Sequence, residues 1–286
     1  KKNYNMILEK NLILNPLDSK PIVYDVCYMP TKSPKPVVIF CHGYKGFKDW
    51  GAWDLVAKSF AKAGFFFLKF NFSHNGGTVD QPIDFPDLEA FGQNNFSKEL
   101  FDLTCIINLF SSKNNFKMEV NSDEISLIAH SRGAGIIIIK AEEEPKIKKV
   151  ISWAGVSDFK SRFYEKTDVF KNWEKSGITY VENGRTKQQM PHYFQFYKDF
   201  IANEERLTIK RAAKNLNVPL LIIHGNKDKN VPIEEAESIN EWSPKGILEI
   251  IKNADHVFGA KHPWEQNDLP ADLQKAVDLS IKFLTN

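Results

Sequence analysis

From Val37 onward, short apolar runs alternate with segments whose apolar residues recur at helical spacing, and such alternation folds as βαβ units around a parallel sheet. The predicted strands are Val37–Cys41, Phe65–Phe70, Ile125–Ala129, Lys149–Ala154, Pro219–His224 and Ile247–Ile251. Between them, Ala52–Ala63 carries Trp53, Val56, Ala57 and Phe60 on one face, and Ser97–Phe110 carries Leu100, Leu103, Ile107 and Phe110. Both spacings predict helices. Gly64 is placed to end the first in the left-handed conformation and Ser97 to cap the second. Leu273, Ala276, Val277, Ser280, Ile281 and Leu284 predict a closing helix, with Asp268 as its cap. Ahead of the alternation, Met6–Leu14 and Ile22–Met29 flank Asn15-Pro16-Leu17-Asp18 and predict an antiparallel hairpin on the sheet edge. No repeat is apparent, and 286 residues suffice to bury roughly 75% of the extended chain's surface, so residues 1–286 are read as one domain.

With 38 Lys and Arg interspersed among 36 Asp and Glu, the net charge of +2 offers no basic face to nucleic acid or anionic lipid. A composition 42% hydrophobic and 26% charged is that of a globular protein rather than a disordered or fibrous one. Cys27, Cys41 and Cys105 are odd in number and lack any Cys-x-x-Cys or Cys/His ligand spacing. They predict free thiols in a reducing, cytoplasmic compartment and no structural metal. The longest apolar runs, Gly64–Leu68 and Gly133–Ile139, fall far short of the roughly 20 residues that span a bilayer, so no membrane anchor is expected. The opening Lys1-Lys2-Asn3-Tyr4-Asn5 has no apolar stretch of a secretory signal, and because residue 1 is not Met, residues upstream are expected.

Two stretches break the rhythm. Phe159–Phe200 holds 11 aromatic side chains in 42 residues, twice the chain average of 13%. Within it, Ile178–Val181 and Arg185–Gln188 flank Asn183-Gly184 and predict a tight hairpin, so the stretch is read as an insertion covering one end of the sheet. Ser73–Phe96, with Gly76-Gly77, Pro82 and Pro86, is too long for an ordinary connector and is expected to form a functional rim.

The chemistry concentrates at Ile125-Ser-Leu-Ile-Ala129-His130-Ser131-Arg132-Gly133-Ala-Gly135-Ile136, an apolar strand running through a small-x-Ser-x-Gly turn into a helix. The turn presses the positions two before and two after Ser131 together, so only small residues fit there. It also lifts the hydroxyl clear and aims the helix N-terminal amides at the place where oxyanion charge would develop. The short motif alone is common by chance; strand before and helix after make it specific. A serine hydroxyl needs a base to take its proton, and the base needs an orienting carboxylate. The strand Pro219–His224 leads into Gly225-Asn-Lys-Asp228, placing Asp228 as the acid. The strand Ile247–Ile251 leads into Lys252-Asn-Ala-Asp255-His256, placing His256 as the base. Each lies beyond the carboxyl end of its own strand, where open α/β sheets bind ligands. Cys41-His42-Gly43-Tyr44 follows the first strand, and the backbone amides of Tyr44 and Arg132 are the expected oxyanion donors, with Gly43 permitting close approach to an anion.

In these residues the chain resembles the α/β-hydrolases, in the bacterial branch of cinnamoyl and feruloyl esterases, serine aminopeptidase-like hydrolases and dienelactone hydrolases. The resemblance covers residues 20–284 and rests on His42-Gly43, Ala129-His130-Ser131-Arg132-Gly133, Asp228 and His256, in the family order of serine, acid and histidine. It implies the α/β-hydrolase fold: a mostly parallel twisted sheet, helices on both faces, and a lid inserted after the sixth strand, here residues 156–212. It also implies a serine-esterase mechanism and gives His42 and Gly43 the support of the oxyanion loop. Ala129 departs from the family's usual Gly, and the turn is expected to survive with slight strain. Ser131 disfavours the Cys nucleophile of dienelactone hydrolases proper and the Asp of haloalkane dehalogenases.

The reading is therefore a serine carboxylesterase of small or aromatic acyl groups, using no cofactor, with a small-molecule ester as its partner. An amide or peptide hydrolase is the alternative; it needs an acidic anchor for a substrate amine, which Glu142–Glu144 are badly placed to give. A non-catalytic scaffold is the third reading. Of the remaining histidines, His42, His130 and His224 are expected to support turns or pack, and His74, His192 and His262 to lie at the surface in loops or in the insertion. Asp255 is read as structural, with Asp158 and Asp199 as competitors for the acid role. Arg132's side chain is read as capped or salt-bridged rather than a substrate clamp, and Arg185 as solvated. Activity should fall as pH drops through roughly 6 to 7, because protonated His256 cannot accept the serine proton.

Overall fold

Along the third strand, Val37, Ile39 and Cys41 enter one apolar cluster while Val38 enters a second together with Phe40, so the sheet is buried on both faces. That is the pattern of a parallel sheet sandwiched by helices. The computed structural model describes residues 5–111 and 116–286. In chain order the elements are β1 (Ile7–Leu14), β2 (Ile22–Tyr28), β3 (Lys35–Cys41), α1 (Trp53–Lys62), β4 (Phe66–Phe70), α2 (Leu88–Gly92), α3 (Phe96–Leu109), β5 (Val120–His130), α4 (Arg132–Glu143) and β6 (Ile147–Trp153). They continue with α5 (Asp168–Ser176), β7 (Ile178–Glu182), β8 (Gln189–Tyr193), α6 (Gln195–Ala202), α7 (Glu204–Leu207), α8 (Ile209–Asn215), β9 (Leu220–Gly225), α9 (Ile233–Trp242), β10 (Gly246–Ile251) and α10 (Ala271–Thr285).

Eight strands form one sheet in the order β1-β2-β4-β3-β5-β6-β9-β10. From β4 to β10 all neighbours are parallel, and the predicted hairpin β1–β2 adds antiparallel to β4. Helices α1 and α10 contribute to one apolar cluster, α3, α4, α8 and α9 to the other, giving the expected layers on both faces. The chain steps from β3 to β4 on one side and then to β5 on the other. The carboxyl ends of β3 and β5 therefore diverge into a crevice, the place where this class of sheet accepts ligands.

Local details depart from the sequence reading. Asn95, not Ser97, caps α3, its side chain accepting from Lys98 N, while Ser97 Oγ donates to Asp199 on α6. Pro270 rather than Asp268 precedes α10, and no side chain caps that helix. Gly64 takes the left-handed φ of +97° after α1, as expected. The β7–β8 pair closes at Glu182↔Gln189, so Arg185–Gln188 is a loop and not a strand. Asn183 sets it by accepting at Oδ1 from Arg185 N and Thr186 N, which replaces the tight two-residue turn with a longer one.

A buried ionic cluster joins the hairpin to the sheet. Asp25 and Lys69 are register partners on β2 and β4, 2.6 Å apart, and Lys48 reaches Asp25 at 2.8 Å and Asp49 at 2.6 Å. Burial alone would raise the Asp49 carboxyl, yet Lys69 and Lys48 hold it well below the ordinary carboxylate range. Asp25, Asp49 and Asp54 converge closely enough to share a cation, but the ammonium groups of Lys48 and Lys69 already occupy that position.

Candidate active site

Ser131 sits between β5 and α4 at φ 58° and ψ −123°, a conformation that non-glycine residues rarely adopt and that presents its hydroxyl at the crevice. The surrounding turn is as crowded as its small residues imply. A Cβ on Gly133 would stand 2.5 Å from the His42 carbonyl oxygen and 3.3 Å from Ala129 Cβ; one on Gly43 would stand 2.9 Å from Ser131 Cβ. Fully buried Ala129 is accommodated in the turn, and the elbow is anchored by Ser131 N donating to the Trp153 carbonyl at 2.8 Å.

The three residues assigned from separate strand ends meet here. Ser131 Oγ lies 3.0 Å from His256 Nε2, and His256 Nδ1 lies 2.8 Å from Asp228 Oδ2. With Nδ1–H donating to the carboxylate, Nε2 is left to accept the serine proton. Asp228 Oδ1 accepts from Asn230 N and Val231 N at 2.9 Å each. Burial alone would raise the Asp228 carboxyl, but hydrogen bonds from His224, His256 and the Val231 amide outweigh it and hold the group well below its ordinary range. Asp228 is thus a fixed anion. Asp255 instead accepts from Val257 N and Gly259 N and shapes its own turn, as expected. Asp158 and Asp199 are engaged elsewhere, with Ser161 N and Ser97 Oγ respectively.

Tyr44 and Arg132 both line the crevice beside Ser131. Arg132 opens α4, so its N–H is among the amides a helix leaves without an internal acceptor. Tyr44 follows Gly43 in a turn closed by Gly46 N donating to the Gly43 carbonyl. His42 steadies this loop: its Nδ1 donates to the Gly43 carbonyl at 2.8 Å and its Nε2 accepts from Phe72 N at 3.1 Å. Burial pushes His42 down to about 4, so the ring is neutral at pH 7, as this bonding pattern requires.

Three further supports surround these residues: His130 and His224 hold turns, as expected, and two of the three pairings, those of His130 and Tyr44, reach partners remote in the chain. His130 Nε2 donates to the His256 carbonyl at 2.8 Å and ties the base's loop to the elbow; burial, with the neighbouring His256, pushes it down to about 3. His224 Nε2 donates to the Val231 carbonyl at 2.8 Å and lies 3.3 Å from Asp228 Oδ2. Tyr44 OH is 2.7 Å from His192 Nε2. His192 is therefore not a surface residue but part of the site wall, kept neutral by burial and by the charge of Arg132. His74 is likewise buried, and His262 Nδ1 accepts from Gly51 N, so neither is a free surface side chain. The Arg132 guanidinium is salt-bridged to Glu99 at 2.6 Å, and Arg185 is exposed, as expected, with Asp84 as its surface partner.

The crevice opens into a cavity of about 780 Å³. Its floor is the strand ends; its roof comes from the segment between β6 and β9, including Phe159, Phe163, Phe170, Trp173, Tyr180 and Phe196. Of the stretch Ser73–Phe96, expected to form a rim, only Phe96 reaches the cavity. Phe85 and Glu89 of this stretch brace the hairpin instead, with Tyr193 OH donating to Glu89 and Gln188 Nε2 donating to the Phe85 carbonyl.

No family model matches the chain. Solved structures align over nearly its whole length. A putative hydrolase from Agrobacterium vitis S4 aligns at a TM-score of 0.71 and 16% identity, covering 99% of this chain and 100% of that one. Est1E from Butyrivibrio proteoclasticus aligns at 0.71 and 15%, covering 97% and 98%. An esterase domain from a Rhodothermus marinus protein aligns at 0.63 and 17%, covering 98% and 97%.

The chain has the α/β-hydrolase fold. Within it, Ser131 after β5, Asp228 after β9 and His256 after β10 occupy the positions assigned from the sequence. Among curated proteins, an uncharacterized peptidase from Bacillus subtilis (strain 168) is 28% identical over 123 residues, 43% of this chain and 42% of that protein. The match thus spans less than half of the relative's length. Among the described residues no helix is long and apolar enough to cross a membrane.

Proposed function

We propose that the protein is a serine hydrolase cleaving carboxylic esters of small or aromatic acyl groups through an acyl-enzyme intermediate. The observation that carries this reading is the unbroken chain of contacts from Ser131 Oγ through His256 to Asp228. His256 takes the Ser131 proton as Oγ attacks the acyl carbon, and the amides of Tyr44 and Arg132 hold the oxyanion. His256 then protonates the leaving alcohol. Water, deprotonated by the same imidazole, attacks the acyl-enzyme and releases the acid. Each oxyanion donor contributes about 2.7–4 kcal/mol to lowering the barrier. The chemistry draws on this chain's own groups and water. His42 and Gly43 support the oxyanion loop, and residues 156–212 act as a lid whose rings favour a flat, apolar acyl group. A neighbouring structure of Est1E holds ferulic acid, which suits such a pocket. Free thiols at Cys27, Cys41 and Cys105 fit a cytoplasmic setting.

A peptidase reading has support in the curated relative and in a puromycin-hydrolyzing peptidase of Mycobacterium tuberculosis, which aligns at a TM-score of 0.65 and of which this chain covers 39%. Against it, no carboxylate lines the cavity among the described residues, so nothing anchors a substrate amine. Glu142 and Glu143 are paired with Arg211 and Arg206. Turnover of p-nitrophenyl acetate beside an aminoacyl-nitroanilide separates the two: the ester should be cleaved, and cleavage of the anilide alone would reverse the assignment.

A further inference from the structure

We propose that Lys45 is a binding site for a carboxylate on the substrate, so that the ester opened at Ser131 carries an anionic group on the side of the cavity beneath β7; this rests on the hydrolase reading above. The cavity lining has a lopsided charge. Lys45, Arg132 and Arg162 face it, and among the described residues no Asp or Glu does. Two of these cations are already neutralised. Arg132 is bridged to buried Glu99 at 2.6 Å, with its guanidinium over the rings of Tyr44, Phe96 and Phe196. Arg162 is bridged to Glu235 at 2.6 Å and donates to the Asp158 carbonyl.

Lys45 is different. Among the described residues no carboxylate lies within 4 Å of its ammonium, which makes a 3.4 Å contact to the Glu182 backbone carbonyl and lies 5.2 Å from the Tyr44 ring centroid. The Glu182 carboxylate pairs instead with Lys187 at 3.6 Å. Burial lowers the Lys45 ammonium from its ordinary value, the mark of a charge partly stripped of water without a counter-ion. Lys45, at φ 53°, lies in the turn closed by Gly46 N donating to the Gly43 carbonyl, one residue after Tyr44, the expected oxyanion donor. A half-buried, uncompensated ammonium attracts an anion more strongly than a solvated one does, because the effective dielectric is lower. Lysine's three rotatable donors accept a carboxylate without demanding one geometry.

The test compares two esters of equal chain length, p-nitrophenyl hexanoate and the p-nitrophenyl monoester of adipic acid, on wild type, Lys45→Met and Lys45→Arg. The ratio of kcat/KM for the monoadipate over the hexanoate is expected to fall about tenfold in Lys45→Met, through KM, and to recover in Lys45→Arg; tenfold corresponds to about 1.4 kcal/mol. Monomethyl adipate should likewise slow fluorophosphonate labelling of Ser131 in wild type and lose that protection in Lys45→Met. A ratio unchanged by Lys45→Met, or labelling indifferent to monomethyl adipate, overturns the Lys45 assignment while leaving the hydrolase standing. Wild type that neither turns over either ester nor labels at Ser131 overturns the hydrolase reading itself.

Discussion

The floor and the roof of the cavity are built by opposite means. On the floor, Ser131, Asp228 and His256 each stand just past a strand end and are fixed by individual directional bonds, among them 2.8 Å from His256 to Asp228 and 2.8 Å from His130 to the His256 carbonyl. In the roof, position comes from rings packed on rings: Phe163 alone lies against Phe96, Trp173, Phe196, Tyr197 and Phe200. Directional bonds make the floor sensitive to single atoms, whereas collective packing spreads any one change over many neighbours. Chemistry should therefore be lost in steps on the floor, and selectivity should drift in the roof.

The largest expected effect is on the floor. Ser131→Ala should lower kcat toward certain background, by about 10⁶-fold if the triad acts as a unit, while circular dichroism and melting stay those of wild type. Asp228→Asn comes next, with a loss of about 10⁴-fold in kcat, because an amide can hold His256 in the wrong tautomer. A loss near tenfold would mean that the carboxylate does little orienting. In the roof, Phe163→Ala should cost about 3 kcal/mol in urea unfolding, a packing effect, with kcat less affected than by either floor variant. A kcat loss as large as that of Asp228→Asn would erase the contrast.

Acid should act on the buried rings beside the site. His42, His130 and His192 are lowered by burial from the ordinary 6.5 to about 4, 3 and 3 when folded. Above about pH 6.5 neither folded nor unfolded chains protonate them, so their contribution to stability is complete. Below it the unfolded chain takes up protons that the folded one refuses, so stability should be lost progressively from pH 6.5 toward 4. Melting temperatures that stay level across that window would contradict the neutral-imidazole account. The smallest effect is expected at exposed Tyr180, where Tyr180→Ala should raise KM for aromatic esters a few-fold and leave the melting temperature in place.

The same contrast explains what could be read from the chain. Floor residues were legible because each is tied to a strand end: apolar period and turn chemistry locate β5, β9 and β10, and the candidate side chain follows within a few residues. The supports were not. That His130 would meet the His256 carbonyl, or Tyr44 the hydroxyl partner His192, depends on pairings 126 and 148 residues apart that no local pattern encodes. In the roof, aromatic density marked Phe159–Phe200 as an insertion, but Asn183 had two outcomes open to it, a tight turn or a longer loop closed by its own side chain, and took the second. The caps slipped for a related reason: Asn95 and Ser97 are both good caps two positions apart, and Ser97 is drawn away by Asp199 on α6.

The central claim is that Ser131 is an activated nucleophile. Intact-mass spectrometry of the folded protein after brief exposure to a fluorophosphonate, followed by peptide mapping, tests it most directly. The account predicts a single adduct on Ser131, absent in Ser131→Ala and formed far more slowly in His256→Ala. Folded wild-type protein that takes up no adduct, or takes it up at another residue, would contradict it.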